Sequence, residues 1–180
     1  MKVLIIGDVM GKPGRDAMKE FLDKKKNDYD FVIVNGENAA AGFGITPKIA
    51  DEFFELGVDV ITSGNHIWDK KELYSYLNEN KNILRPLNYP KGVPGFGYTI
   101  KENGKGDKIA VINIQGRVFM PEVDSPFQRI EEAIEEIKKE TKNIIVDFHA
   151  EATSEKLAMG WYLDGRVSAV YGTHTHVQTA

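Results

Sequence analysis

A chain of 180 residues, 42% hydrophobic and 28% charged, is long enough for one globular domain with a substantial core and too short to expect two. Its formal net charge of −4 provides no broad basic surface for a nucleic-acid backbone, although a local anion site is compatible with it. The chain has no cysteine. Disulfides, thiolate ligands and a cysteine nucleophile are therefore excluded, and the remaining candidate metal ligands are His, Asp, Glu and Asn, which suit iron, manganese or zinc.

The N-terminal apolar run at residues 2–6 is typical of a strand buried on both faces. It is shorter than the apolar core of a signal peptide, and no segment of the sequence approaches the roughly 20 apolar residues of a membrane span. We therefore expect a cytoplasmic protein without membrane attachment.

Three strand–loop–helix units make up the first part of the chain. The predicted elements are strands at residues 2–6, 31–34 and 58–62, and helices at residues 15–26, 46–56 and 69–77. Thr46 and Pro47 are a typical helix start, and Gly57 is placed to end that helix. Asp69 with Glu72 three residues later resembles a capping box for the third helix.

From residue 83 onward the repeated strand–loop–helix pattern ends. Residues 83–97 contain three prolines and predict a long loop. Residues 98–101 and 108–114 flank the turn sequence Asn-Gly-Lys-Gly and predict a hairpin, hence some antiparallel sheet. Later elements are a helix after Ser125-Pro126, with Phe127, Ile130, Ile134 and Ile137 at helical spacing, and strands at residues 143–148 and 167–171.

Polar residues follow the end of almost every predicted strand: Asp8, Glu37, Asn38, Asn65, His66, His149, His174 and His176. Each alone has an ordinary explanation as a cap, a turn residue, a solvated side chain or a core histidine. The carboxyl ends of parallel strands, however, gather at one edge of a sheet, where ligands bind. In an extended segment His174 and His176 would project to the same side, as a pair of metal ligands would.

These blocks also resemble a known family. The sequences GD at residues 7–8, NGEN at 35–38, GNH at 64–66, His149, and GTHTH at 172–176 resemble, in order and spacing, the signature blocks of calcineurin-like metallophosphoesterases. The match is closer to one branch, the YmdB-type phosphodiesterases. Two departures from the general pattern mark this branch: Met10 stands where a ligand histidine is common, and Glu37 where an aspartate usually bridges the metals.

The resemblance implies an α/β fold, a metallophosphoesterase-type sandwich of two mixed β-sheets flanked by helices in the order α/β/β/α. It also implies two divalent or mixed-valence transition-metal ions, with iron or manganese expected and zinc as the alternative, and a metal-bridging hydroxide as nucleophile. Glu37 would bridge the ions. Asp8, Asn38 and His176 would complete the shell of one ion, and Asn65, His149 and His174 that of the other.

By the same resemblance His66 is the catalytic candidate, since it could donate a proton to the departing ribose oxygen, with Asp69 orienting it. The alternative is a turn histidine bonded to the backbone. Arg15 could face a substrate phosphate or be a solvated helix residue, and Trp68 and Tyr162 could stack on a base or belong to the core.

The expected function is hydrolysis of small phosphodiesters, with 2′,3′-cyclic nucleotides as the expected substrate and no stable binding of nucleic-acid polymers. Alternatives are a phosphomonoesterase, or a metal-bound regulatory protein with little turnover. A nucleotide-binding module is disfavoured, because the first loop has neither dinucleotide-fingerprint spacing nor the Ser or Thr that a P-loop needs after Gly11-Lys12.

Members of this family continue well beyond the GTHTH block. We therefore expect residues 1–180 to be a single metallophosphoesterase domain that is incomplete at its C-terminus. Such a chain would form a homo-oligomer or associate with the missing C-terminal segment, because an unpaired sheet edge is usually covered. The last residues, 177–180, would be mobile in the isolated chain.

Overall fold

The computed structural model describes residues 1–178, and within them lie seven strands and five α-helices. The strands are β1 (Val3–Ile6), β2 (Phe31–Asn35), β3 (Val60–Thr62), β4 (Tyr98–Glu102), β5 (Lys108–Gln115), β6 (Ile144–His149) and β7 (Ala169–Thr173). The helices are α1 (Gly11–Lys25), α2 (Pro47–Glu55), α3 (Leu73–Glu79), α4 (Pro126–Ile137) and α5 (Thr153–Leu163). Short 3₁₀ turns lie at Lys26–Asp28 and Asn65–Trp68.

The strands form two sheets. The first has the order β1-β2-β3 and is parallel, with Ile5 opposite Ile33 and Ile33 opposite Val60. The second has the order β4-β5-β6-β7, in which β4 and β5 are antiparallel and the other pairs parallel. A helix connects each pair of consecutive parallel strands, because parallel neighbours need a crossover. The carboxyl ends of the parallel strands in each sheet therefore lie at one edge.

Three apolar clusters define the layers. Phe31, Ile33 and Val60 of the first sheet pack against Val111 and Ile145 of the second. The opposite face of the first sheet is covered by α1, α2 and α3, and that of the second by α4 and α5. Successive side chains of β2 alternate between the two faces, as the period of two requires. The expected α/β/β/α sandwich is confirmed.

One detail of the sheets differs from the expectation of two mixed sheets. The second sheet is mixed, whereas the first is parallel in all its described strands. The reason is that the hairpin β4–β5 belongs entirely to the second sheet.

Most local predictions are confirmed. The Thr46 side chain accepts a hydrogen bond from the Ile49 N–H at 3.2 Å and caps α2. Gly57 ends that segment with a φ of 87°, a left-handed conformation that glycine adopts at little cost. The predicted hairpin forms with Tyr98 opposite Ile112.

Two helix starts were predicted wrongly. α1 begins at Gly11, four residues before the predicted start, because Pro13 fits the first turn, where backbone N–H groups have no intrahelical partner. The capping box at Asp69 is wrong. Asp69 ends the 3₁₀ turn, α3 begins at Leu73 without a side-chain cap, and the Asp69 carboxylate contacts His66 instead.

Helix α5 was not predicted. Its sequence lacks a clear apolar stripe, since Leu157 and Trp161 are exposed while Met159 and Leu163 are buried. Across residues 1–178, no helix is both long enough and apolar enough to cross a membrane. The expectation of mobile terminal residues concerns in part Thr179 and Ala180, which lie outside the described residues.

The cap of α2 leads to a prediction about stability. Thr46→Ala removes the acceptor for the Ile49 N–H, so we expect the free energy of unfolding to fall by about 0.5–2 kcal/mol. Thr46→Ser keeps the hydroxyl and is the matched control. Urea denaturation measures both, and equal stability of the Ala and Ser variants would contradict the assigned cap.

Candidate metal centre

The candidate site lies at the carboxyl ends of the parallel strands of both sheets. Asp8 follows β1, Asn65 follows β3, and His149 is the last residue of β6. The remaining candidates are Glu37 and Asn38 after β2, and His174 and His176 after β7. The structure brings all seven candidate ligands together, in two adjacent groups.

The first group, which we call the inner cluster, consists of Glu37, Asn65, His149 and His174. Its centre is His149 Nε2, which lies 3.0 Å from Glu37 Oε1, 3.2 Å from Asn65 Oδ1 and 3.2 Å from His174 Nδ1. The ligand atoms of Glu37, His149 and His174 all lie within 4.8 Å of one another. Four nitrogen and oxygen donors therefore converge on one small volume.

The second group, which we call the outer cluster, consists of Asp8, Asn38 and His176. His176 Nε2 lies 3.5 Å from Asp8 Oδ1 and 3.3 Å from the side-chain nitrogen of Asn38. The nitrogen and oxygen of the Asn38 amide exchange places when the amide group is rotated by half a turn. The carbonyl oxygen, which is the atom that a metal requires, then lies beside His176. Glu37 and Asn38 are consecutive, so one short loop supplies a candidate ligand to each cluster.

Two buried carboxylate oxygens support a cation here. Asp8 Oδ1 and Glu37 Oε1 accept no well-aligned hydrogen bond among the described residues, and the ring nitrogens beside them, of His176 and His149, carry a positive charge only when those rings are protonated. A carboxylate oxygen buried without a partner is costly, unless a positive charge lies beside it. Because the donors are imidazoles, carboxylates and amides without sulfur, the residues fit iron, manganese or zinc.

The charges within the inner cluster influence one another. Burial alone would raise the pKa of Glu37, but contacts with His149 and with the backbone N–H of His66 lower it below its ordinary value. Burial alone would lower the pKa of His149, but the neighbouring Glu37 raises it. The pKa of His174 is lowered by partial burial and by His149. Glu37 is therefore held as a carboxylate at the centre of the site.

Residues 174–176 do not continue β7 as an extended segment, so the period-two argument for His174 and His176 is wrong. β7 ends at Thr173, and the two histidines have φ values of 95° and 56°. Such left-handed conformations are uncommon for residues other than glycine. The His174 N–H donates to Asp8 Oδ2 at 3.1 Å, and the two rings reach different clusters.

His66 lies beside the inner cluster. Its backbone N–H donates to Glu37 Oε2 at 3.0 Å, and its Nδ1 lies 2.7 Å from Asp69 Oδ2. Since Asp69 accepts the Nδ1 proton, Nε2 is the nitrogen left for proton exchange. The His66 side chain is 28% exposed, so solvent can reach it.

The other candidates lie outside the donor clusters. The Arg15 guanidinium donates to the Ala39 carbonyl, which ties α1 to the loop after β2. Met10 is exposed and helps to line a cavity of about 360 Å³ next to the outer cluster. Trp68 packs against Tyr74 and Tyr89.

The Tyr162 hydroxyl of α5 donates a hydrogen bond to Glu131, and the Arg166 guanidinium lies over the Tyr162 ring. Both contacts are away from the inner and outer clusters. A larger groove of about 610 Å³ between α5 and β7 is lined by Leu157, Trp161 and other residues that belong to neither cluster. The smaller cavity beside the outer cluster is therefore the one that opens on the site.

Sequence reasoning missed the residues that orient the histidines. Glu151 Oε2 lies 3.1 Å from His174 Nε2. The other ring nitrogen of His174, Nδ1, therefore faces the inner cluster. Thr173 contacts the far side of the His149 ring. The spacing His149-Ala150-Glu151 was visible in the sequence, but nothing local indicates that Glu151 pairs with a residue after another strand.

Gly64 allows the inner cluster to form. A Cβ atom at this position would overlap the His149 ring at Nε2 and Cδ2, far inside van der Waals contact. Only glycine lets the backbone after β3 pass so close to the imidazole.

Comparison with known proteins gives consistent matches. A family profile described as "YmdB-like protein" matches residues 4–180. A protein of Bacillus subtilis (strain 168) named 2',3'-cyclic-nucleotide 2'-phosphodiesterase is 56% identical over 183 residues, which cover 100% of this chain and 69% of that protein.

Two solved structures match the fold of this chain. A hypothetical protein from Thermus thermophilus has a TM-score of 0.93 at 47% identity, over 99% of this chain and 69% of that one. A structure from Mycoplasma pneumoniae described as a novel phosphatase has a TM-score of 0.89 at 39% identity, over 100% of this chain and 66% of that one. The chain thus spans about two thirds of the length of these relatives.

The close approach at Gly64 yields a prediction. Gly64→Ala forces the His149 ring to move, so we expect the metal content of the purified protein to fall and the free energy of unfolding to drop by about 1–3 kcal/mol. Elemental analysis and urea denaturation measure the two effects. Gly104→Ala is the control, because a Cβ there meets nothing within 4 Å; normal metal content in Gly64→Ala would contradict the role of the glycine.

Proposed function

The chain belongs to the family of YmdB-like proteins, and on this premise we propose that it is a binuclear metal-dependent phosphodiesterase. Its proposed substrates are small phosphodiesters, in particular 2′,3′-cyclic nucleotides. The observation that carries the proposal is the convergence of two donor clusters around buried carboxylate oxygens of Asp8 and Glu37 that accept no well-aligned hydrogen bond among the described residues, with His66 beside them. The name of the relative from Bacillus subtilis supports the substrate class.

In this proposal each cluster would hold one cation. Glu37, Asn65, His149 and His174 would hold the first, Asp8, Asn38 and His176 would hold the second, and Glu37 would serve both. Bound cations of this kind neutralise phosphate charge and make water acidic enough to supply a nucleophile at neutral pH. Iron or manganese is proposed, with zinc as the alternative, since imidazole and carboxylate donors suit all three.

His66 is the proposed general acid. The bond to Asp69 at 2.7 Å holds the ring through Nδ1, and Nε2 then delivers a proton to the departing ribose oxygen. Without that proton the leaving group is an alkoxide, which departs slowly.

The His66 backbone has a second part in this arrangement. Its N–H donates to Glu37 Oε2, so one residue supplies the proton donor and also fixes the proposed bridging carboxylate. The proposed proton donor and the proposed bridging carboxylate are therefore positioned relative to each other by a single short segment.

A phosphomonoesterase is the second candidate, favoured by the description of the relative from Mycoplasma pneumoniae as a phosphatase. Under this alternative the same residues act on a terminal phosphate. A metal-bound regulatory protein with little turnover is a further alternative. A cytoplasmic location and one domain over residues 1–180 remain predictions from the sequence.

Turnover on a substrate panel tests the proposal. Protein reconstituted separately with manganese, iron and zinc is assayed with 2′,3′-cyclic nucleotides, bis(4-nitrophenyl) phosphate and nucleoside monophosphates. We expect the highest kcat/KM with the cyclic nucleotides. Preference for the monophosphates would favour the phosphatase alternative, and metal binding without turnover on any substrate would favour the regulatory one.

A further prediction concerns Glu37, the proposed shared ligand. Glu37→Gln replaces a carboxylate with a neutral amide, which cannot bridge two cations, so we expect metal occupancy to fall at both clusters. Elemental analysis and calorimetric titration measure this, with Glu72→Gln, at an exposed glutamate, as the control. Two tightly held metals in Glu37→Gln would refute the bridging role.

A separate prediction isolates proton donation by His66. His66→Ala should keep its metals but lose roughly 10²–10⁴-fold in kcat on a cyclic nucleotide. With bis(4-nitrophenyl) phosphate, whose leaving group needs no proton, the loss should be much smaller. Equal losses on the two substrates would show that His66 is not the proton donor, and Asp69→Asn should give an intermediate loss on the cyclic nucleotide only.

A further inference from the structure

Asp147 is a buried carboxylate that the proposed mechanism does not use. It lies on β6 two residues before His149, so both side chains project from the same face of the strand. Its exposed fraction is 0%. A carboxylate buried in this way needs hydrogen-bond donors around it.

Three side chains donate hydrogen bonds to this carboxylate. Oδ1 accepts from the Thr173 hydroxyl at 2.6 Å. Oδ2 accepts from the Asn35 side-chain amide at 3.2 Å and from the Thr62 hydroxyl. The donors come from three strands and from both sheets, so the carboxylate cannot rotate without breaking several bonds at once.

The Thr173 hydroxyl connects Asp147 to the metal centre. A hydroxyl has one proton to donate, and in Thr173 that proton goes to Asp147. Thr173 Oγ1 also lies 2.9 Å from His149 Nδ1, and toward this nitrogen it can therefore only accept. His149 must then carry its proton on Nδ1.

The position of this proton matters for the inner cluster. A neutral imidazole with its proton on Nδ1 has a lone pair on Nε2, the atom that faces Glu37, Asn65 and His174. Partners beyond the ligands commonly set the tautomer and ring orientation of metal-binding histidines in this way.

We propose that Asp147 and Thr173 are positioning residues that hold His149 in the tautomer able to bind a cation through Nε2. The inference deepens the proposed function, since it rests on the proposed metal centre, but it does not depend on which phosphate ester is hydrolysed. The series of hydrogen bonds runs from the Nδ1–H of His149 to the Thr173 hydroxyl and from there to the Asp147 carboxylate.

Variants at Thr173 test this chain of hydrogen bonds. Thr173→Val removes the hydroxyl with little change of shape, Thr173→Ser keeps it, and Thr173→Ala is a second variant without it should the valine fail to fold. Thr99→Val is the matched control, because Thr99 is a buried threonine of the same sheet outside both donor clusters.

The first measurement uses metal-free full chain and is independent of activity. ¹⁵N–¹H correlation spectra of the His149 ring, recorded at a pH where the ring is neutral, distinguish the two tautomers. We expect the Nδ1-protonated form in the wild-type chain, Thr173→Ser and Thr99→Val, and a shift toward the Nε2-protonated form in Thr173→Val and Thr173→Ala.

The second measurement is metal affinity by calorimetry without substrate. We expect binding to weaken about 10- to 100-fold in Thr173→Val, the usual effect of removing such a partner, and to stay near the wild-type value in Thr173→Ser. An unchanged tautomer and unchanged affinity in Thr173→Val would overturn the inference, and so would equal losses in Thr173→Ser and Thr173→Val.

The two measurements separate this inference from the proposed function. A wild-type chain that binds metal but hydrolyses no substrate in the panel refutes the phosphodiesterase proposal and leaves the positioning role testable. If the wild-type chain binds no metal, the tautomer spectra still decide whether Thr173 and Asp147 set the protonation of His149.

Discussion

The buried carboxylate of Asp147 joins the two sheets at the level of the candidate metal centre. It accepts hydrogen bonds from Asn35 and Thr62 of the first sheet and from Thr173 of the second. A buried carboxylate is stable only while its hydrogen-bond donors stay in place, so sliding of one sheet over the other would leave its oxygens unpaired. The strand ends that carry the candidate ligands therefore keep a fixed relative position.

Several features of the site are unfavourable for the folded chain by itself. Asp8 and Glu37 each bury a carboxylate oxygen that accepts no well-aligned hydrogen bond among the described residues, and His174 and His176 have left-handed backbone conformations. Costs of this kind concentrate at functional sites and persist when the surrounding structure fixes them. A ligand that binds only the folded state offsets part of such a cost, so cation binding and stability are coupled.

Local patterns were sufficient for most elements. The helix start at Thr46-Pro47, the hairpin turn and the apolar face of α4 depend on neighbouring residues, and the structure has them where the sequence predicts them. Prediction failed where a side chain had a distant or competing partner: Asp69 contacts His66 instead of capping a helix. It also failed for α5, whose apolar residues are not confined to one face.

The sequence by itself determined the types of candidate ligand and their order at the strand ends, because alternation and strand length are local properties that place each polar residue just after an apolar run. Only the tertiary structure decided how these residues are grouped, which nitrogen of each ring faces the donors, and which partners hold the rings. The physical reason is that a hydrogen bond acts over about 3 Å between residues far apart in the chain. Asn35 and Asp147 are separated by 112 positions, and only the packing of the two sheets brings them together.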